Sequence, residues 1–136
     1  MIEMTLELAE KVAKAALVKA KAQGTPMTVS VVDEAGRLVV TLRGDGTSFF
    51  SPETSRAKAV AAANFGRPTK EMADLHAKAP LFWATVGNVI PGQILTSMGG
   101  VPVRKGGRII GGVGCGGGTA EQDHECAAAG ADAIGG

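Results

Sequence analysis

Ten of the twenty residues from Gly99 to Gly118 are glycine. Glycine in a strand or helix costs backbone entropy, so this density needs a geometric cause. Val101–Arg104 and Arg108–Val113 flank Lys105-Gly106-Gly107 and predict a hairpin whose second strand ends where something must approach the main chain closely. Thr119, with Gln122 three residues on, predicts a capping box and a final helix through Cys126, Ala127, Gly130 and Ile134. Free N–H groups at that helix start make Gly116, Gly117, Gly118 and Thr119 a candidate cradle for a carboxylate or phosphate. The competing reading is that the glycines let the last helix cross close over the sheet. The segment is not a P-loop, because the Gly-Lys-Ser/Thr ending is missing.

The rest of the chain is punctuated as clearly. Leu6, Ala9, Val12, Ala13, Ala16, Leu17 and Ala20 recur at helical spacing after the capping Thr5, and Gly24 and Pro26 close that helix. Met27–Asp33 and Arg37–Arg43 alternate as strands around the turn Asp33-Glu34-Ala35-Gly36. Ser51-Pro52 predicts a helix start, with Ser51 at the cap, running to about Phe65. Gly66-Arg67-Pro68 ends it, and Thr69 is expected to cap a shorter helix carrying Met72, Ala73, Leu75 and His76. Leu81-Phe82-Trp83 reads as an apolar anchor on a turn or short helix, and Ile94–Ser97 as a short strand. Helix, two strands, helices, three strands, helix needs no parallel crossover. The expectation is one α+β domain over residues 1–136, an antiparallel sheet with helices packed on it.

Composition limits the function. A chain of 136 residues with 45% hydrophobic and 20% charged residues suits one globular domain. A net charge of +1 gives no electrostatic case for nucleic acid or a membrane surface. With 4% aromatic residues the core rests on small aliphatic side chains, which makes homo-oligomerisation a natural expectation. Two cysteines without Cys-x-x-Cys pairing or a disulfide framework, and no signal-like N-terminus, lead to the expectation of a reduced, cytoplasmic protein.

Seven side chains carry chemical possibilities. His124, in the first turns of the last helix beside the glycines, could ligate iron or move protons; His76 is the other histidine. Cys115, where strand meets cradle, is either a small buried residue or a thiol activated by the helix start and His124. Arg43, Lys58 and Arg104 are the cations suited to an acidic ligand. Lys58 interrupts an alanine-rich helix face. Asp123 suits the helix dipole and could also hold Lys58 or an arginine.

The chain resembles the haem-binding GlcG/HbpS family, which includes the C-terminal domain of PduO-type proteins. The resemblance covers nearly the whole length. It rests on Val31-Val32-Asp33, Gly36, Leu38-Val39, Lys58-Ala59, Ala61-Ala62 and Phe65-Gly66-Arg67-Pro68-Thr69. It continues through Gly99-Gly100-Val101-Pro102-Val103, Gly111-Gly112-Val113-Gly114, and Asp123 to Gly130. It implies a profilin-like sheet of five antiparallel strands flanked by helices, homo-oligomers from dimers to octamers, and haem in some members. The family often carries Val-Ser-Gly where this chain has Gly114-Cys115-Gly116, and a carboxylate where it has His124.

Two readings follow. In the first, the protein binds haem or another small carboxylated ligand, with the acid groups at Gly116–Thr119 and the cations, and His124 or His76 on the iron. In the second, it is an enzyme acting on a small organic acid of a catabolic pathway, with Cys115 or His124 as nucleophile or acid–base.

Overall fold

Thr5 accepts a hydrogen bond from the Leu8 N–H at 3.1 Å and starts helix α1 (Leu6–Gln23). Gly24 ends it in the left-handed conformation, φ 70°. Ala9, Val12, Ala13, Ala16 and Ala20 form its buried stripe, as their spacing predicts. Strands β1 (Thr28–Asp33) and β2 (Leu38–Arg43) pair antiparallel. The Asp33 carboxylate fixes their turn by accepting the Ala35 and Arg37 N–H groups at 2.9 and 3.0 Å. The computed structural model describes residues 2–89 and 93–135.

Helix α2 (Ser51–Phe65) begins at the expected residue, but Ser51 does not cap it. Its hydroxyl donates to the Ser48 carbonyl and bonds Thr28 of β1, both at 2.8 Å. Burial against the sheet recruits this side chain away from the helix start. Thr69 likewise starts only a 3-10 turn, Thr69–Glu71, because its hydroxyl oxygen accepts the Gly100 N–H at 2.9 Å. Helices α3 (Met72–Lys78) and α4 (Pro80–Thr85) follow, then a turn at Val86–Asn88. Strands β3 (Gly100–Lys105) and β4 (Arg108–Gly116) make the second hairpin, and α5 (Ala120–Asp132) closes the fold. The Thr119–Gln122 capping box is present.

The sheet has four strands among the described residues, ordered β2-β1-β4-β3 and antiparallel throughout. The expected fifth strand at Ile94–Ser97 does not form. This stretch is pinned outside the sheet, with the Leu95 N–H on the Ala57 carbonyl of α2 at 3.2 Å. Helices α1 and α5 cover one face of the sheet and α2 the other. The main apolar core lies under α1 and α5, where Val29, Val31, Val103, Ile110, Val113 and Cys115 meet the alanines of α1 and Cys126 and Ala127 of α5.

The α2 face is built differently. Hydroxyls join across it: Ser30 bonds Ser55 at 2.7 Å and Thr41 at 2.8 Å, and Thr28 bonds Ser51 and Thr47 at 2.8 and 3.0 Å. Alternate residues of β4 on this face, Gly112, Gly114 and Gly116, present no side chain. A Cβ on Gly112 or Gly114 would overlap the Ala59 or Ser55 carbonyl of α2. The element that approaches the glycine-rich main chain is therefore α2, and the last helix packs on the opposite side.

Candidate functional site

At the strand–helix junction the Gly118 and Thr119 donors of the expected cradle are already engaged. The Gly118 N–H goes to the Asp123 carboxylate at 2.9 Å, the Thr119 N–H to the Gln122 side chain at 2.9 Å, and the Gln122 N–H to Thr119 at 3.2 Å. A Cβ on Gly118 would meet Gln122 at 2.8 Å and Thr25 at 2.9 Å, and one on Gly117 the Pro26 carbonyl at 2.6 Å. Asp123 and the capping box thus take the Gly118, Thr119 and Gln122 donors that a ligand in the expected anion cradle would compete for.

Nor do the three expected cations converge. Arg43 donates to the Thr47 carbonyl at 3.3 Å at one end of the sheet. Arg104 donates to the Gly66 carbonyl at 3.3 Å on the exposed end of β3. Lys58 is inside: its ammonium donates to the Cys115 carbonyl at 2.9 Å and to Asp123 at 3.1 Å, with both charged side chains only 7% exposed. The Lys58–Asp123 pair thus joins α2 to β4 and α5 as a buried structural tie. Desolvation raises the Asp123 carboxyl above its usual value, against the pull of Lys58 and the Gly118 N–H.

Cys115 is fully buried, and desolvation pushes its thiol well above the ordinary range. It holds no accessible thiolate at neutral pH, which removes the nucleophile from the enzyme reading. Cys126, pushed up to about 11 by burial, donates to Gln23 at 3.2 Å. His124 lies half-buried on α5 with Nδ1 enclosed and unpartnered. Burial first, and the Lys70 charge second, lower its pKa, so the ring is neutral at pH 7.

His76 is in a different setting. Gly66 ends α2 at φ 71°, Pro68 is itself extended before the 3-10 turn, and buried Met72 anchors α3. These constraints carry His76 to the last turn of α3. Pro80 starts α4, which folds Trp83 back so that its ring stacks on the His76 imidazole, centroids 5.6 Å apart and 12° between planes. Phe65 and Phe82 hold Trp83 edge-on at 5.0 Å each. The imidazole Nε2 meets the Thr96 hydroxyl at 2.8 Å. Between α3 and the 95–98 segment lies an open cleft of about 570 Å³, lined by Thr69, Lys70, Ala73 and His76 on one wall and Leu95, Thr96, Ser97 and Met98 on the other. This volume is in the range of small-molecule and cofactor sites.

The arrangement combines an aromatic-supported imidazole, a thioether, a cation and aliphatic side chains around one opening. Of the seven side chains given a chemical possibility from the sequence, only His76 lines it. Lys70, Thr96 and Met98 carry no motif in the sequence. Among the described residues no group of three His, Cys, Asp or Glu side chains could hold a bare metal ion. Among them no helix is long and apolar enough to cross a membrane.

A family model described as haem degrading protein HbpS-like matches residues 4–132. This chain belongs to the HbpS-like family. Its fold superimposes on HbpS of Streptomyces reticuli, seen in the crystal structure of a double mutant, with a TM-score of 0.87 and 39% identity over 98% of this chain and 88% of that one. The crystal structure named PduOC:heme complex matches with a TM-score of 0.85 and 30% identity, covering 96% and 94% of the two chains. An uncharacterised 15.0 kDa protein of the dhaT–dhaS intergenic region in Citrobacter freundii is 35% identical over 122 residues, 89% of this chain and 84% of that protein. The corrinoid adenosyltransferase PduO of Salmonella typhimurium is 31% identical over 114 residues, and the chain spans 34% of that protein's length.

Proposed function

We propose that this member of the HbpS-like family binds haem in the cleft between α3 and the 95–98 segment, with His76 donating to the iron. The observation that carries the reading is His76 itself, held on Trp83 in the wall of an open, partly apolar cleft. The description of the family model as haem degrading and the haem complex of PduOC support the choice of ligand. The donor set fits the group: imidazole is a common haem ligand, aliphatic walls suit the macrocycle, and Lys70 is the cation that would meet a propionate. Bound haem would supply redox chemistry at its iron. The protein's part is to orient the imidazole, through Trp83 on its face and Thr96 on Nε2, which leaves Nδ1 as the nitrogen that would donate to the iron.

Titration of the protein with haemin tests this directly. A Soret shift should appear together with quenching of tryptophan fluorescence, because Trp83 is the only tryptophan in the chain. His76→Ala should weaken binding at least tenfold, about 1.4 kcal/mol or more. His124→Ala should leave the affinity unchanged, since His124 is not among the residues that line the cleft. Equal affinity in His76→Ala and the parent would remove His76 from the site. Loss of binding in His124→Ala alone would move the iron to α5.

The propionates are the carboxylated groups in this reading, and the setting we propose is cytoplasmic, supported by two free buried cysteines. We also propose a homo-oligomer. Leu81 and Val89 are 77% and 80% exposed and Phe49 is 87% exposed, more large apolar surface than a monomer of this size gains from showing. Light scattering coupled to gel filtration should give a mass at least twice that of the chain.

A further inference from the structure

We infer that the groove between β2 and α2 is a second small-molecule site, built for an α-amino acid with an apolar side chain. It shares no lining residue with the cleft at His76 and does not depend on the haem reading. The groove owes one wall to an irregularity in β2. Val31 pairs with Val40 and Val32 with Leu38, which leaves Val39 as an extra residue. Directly paired residues of two strands point to the same side of a sheet. Val39, Val40 and Leu42 accordingly pack on the core under α1 and α5. Leu38 follows Val32, and Thr41 follows Ser30, to the side of α2. Strict alternation would have kept Leu38 with Val40 and Leu42. The bulge turns Leu38 over and sets it on the same wall as Thr41, as bulges beside functional sites re-aim a side chain.

The facing wall is Pro52, Glu53, Arg56 and Ala57, one face of the first two turns of α2. The groove holds about 320 Å³, within the range of small-ligand sites. Leu38, Pro52 and Ala57 give it apolar surface. Glu53 and Arg56 are both exposed, and among the described residues neither forms an ion pair. They stand three residues apart on the helix, roughly 5–6 Å at Cβ, close enough to take the two charged ends of one small zwitterion.

A hydroxyl relay fixes the polarity of the third polar group. The Ser55 hydroxyl donates to the Pro52 carbonyl at 3.1 Å, so towards Ser30, at 2.7 Å, its oxygen accepts. Ser30 thereby spends its proton and accepts from Thr41 at 2.8 Å. Ser30 and Ser55 are fully buried, which holds the relay away from solvent. Thr41 has a single proton, and it is directed inward, so its oxygen can serve the groove only as an acceptor. An ammonium thus finds two acceptors, the Thr41 oxygen and the Glu53 carboxylate, and a carboxylate finds the Arg56 guanidinium. An apolar side chain covers Leu38, Pro52 and Ala57. A simple acid would leave Glu53 and Thr41 without a donor, and a simple amine would leave Arg56 unused. An apolar amino acid meets all of these groups at once.

The test titrates the full chain with L-leucine, followed by amide NMR and calorimetry. Shifts should centre on Leu38, Thr41 and Arg56. Isocaproate and isoamylamine, which lack the ammonium and the carboxylate respectively, should each bind at least about tenfold more weakly than L-leucine. Arg56→Gln should weaken L-leucine by a similar factor and leave isoamylamine unchanged, and Glu53→Gln should weaken L-leucine and leave isocaproate unchanged. Thr41→Val should weaken L-leucine, and Thr41→Ser should restore it. Glu53 and Arg56 are exposed, so their variants decide the matter if Thr41→Val does not fold. Absence of shifts at millimolar L-leucine, shifts centred away from the groove, or equal affinity for the three compounds would each overturn the site.

Discussion

Replacing Lys58 by methionine while Asp123 remains should cost about 3–5 kcal/mol of folding stability, read as a large fall in the urea midpoint. Among the described residues the ammonium is the only partner of one Asp123 oxygen, and it also bonds the Cys115 carbonyl near the end of β4. Its removal strands a carboxylate that is 7% exposed. Asp123 cannot relax outward, because its other oxygen accepts the Gly118 N–H that starts α5. The double variant Lys58→Met/Asp123→Leu should recover much of the loss, since a buried pair seldom outperforms well-packed apolar groups. A double variant as unstable as the single one would show that the pair contributes more than mutual neutralisation.

Acid should distinguish this pair from the surface bridge of Arg108 to Glu3, which closes at 2.7 Å. The hydrogen bond from Arg108 lowers the Glu3 carboxyl, so that bridge contributes above about 4.5 and fades as pH falls through the lower folded value. Asp123 is raised by burial, so its contribution is complete below 3.8 and is lost as pH rises through the higher folded value. Titration by NMR should place Glu3 below and Asp123 above their unfolded positions.

Gly114→Ala should be as damaging by another route. Its added methyl would overlap the Ser55 carbonyl and lie 2.7 Å from the Ala59 nitrogen, both in the backbone of α2. Neither neighbour can rotate away, so α2 must lift from the sheet and break the Ser30–Ser55 hydroxyl bond. The expected cost is at or above the upper end of the usual overpacking range of about 1–3 kcal/mol. Gly87→Ala is the control: nothing lies within 4 Å of its added carbon, and its φ is not positive, so the change should be near neutral. Equal melting temperatures for the two variants would refute the contact between α2 and β4 as described.

What the sequence revealed follows the range of each signal. The Thr119–Gln122 cap, the Gly24 and Gly66 stops and the alternation of β1 are local, and all are present as expected. The Lys58 interruption of an alanine face also pointed inward, to the partner Asp123. The glycines were read correctly as a close approach, but their partner α2 is remote in sequence, and nothing local distinguishes one helix from another. The same glycines suggested a ligand cradle because unused N–H groups are invisible until the side chains that occupy them are placed. The cleft stayed hidden for a related reason. Thr96 and Met98 sit on a strap without periodicity, held by bonds to Ala57 and Thr69 that no pattern announces.

The hydroxyl-lined face of α2 gives the sheet two thermally unlike sides. Under α1 and α5 the cohesion is the withdrawal of aliphatic carbon from water, which carries a heat-capacity change and fades in the cold. Across from it, Thr28, Ser30, Ser51 and Ser55 grip α2 by bonds with little such dependence. Chilling should therefore loosen the outer helix pair first, with amide exchange in α1 and α5 accelerating while α2 stays protected.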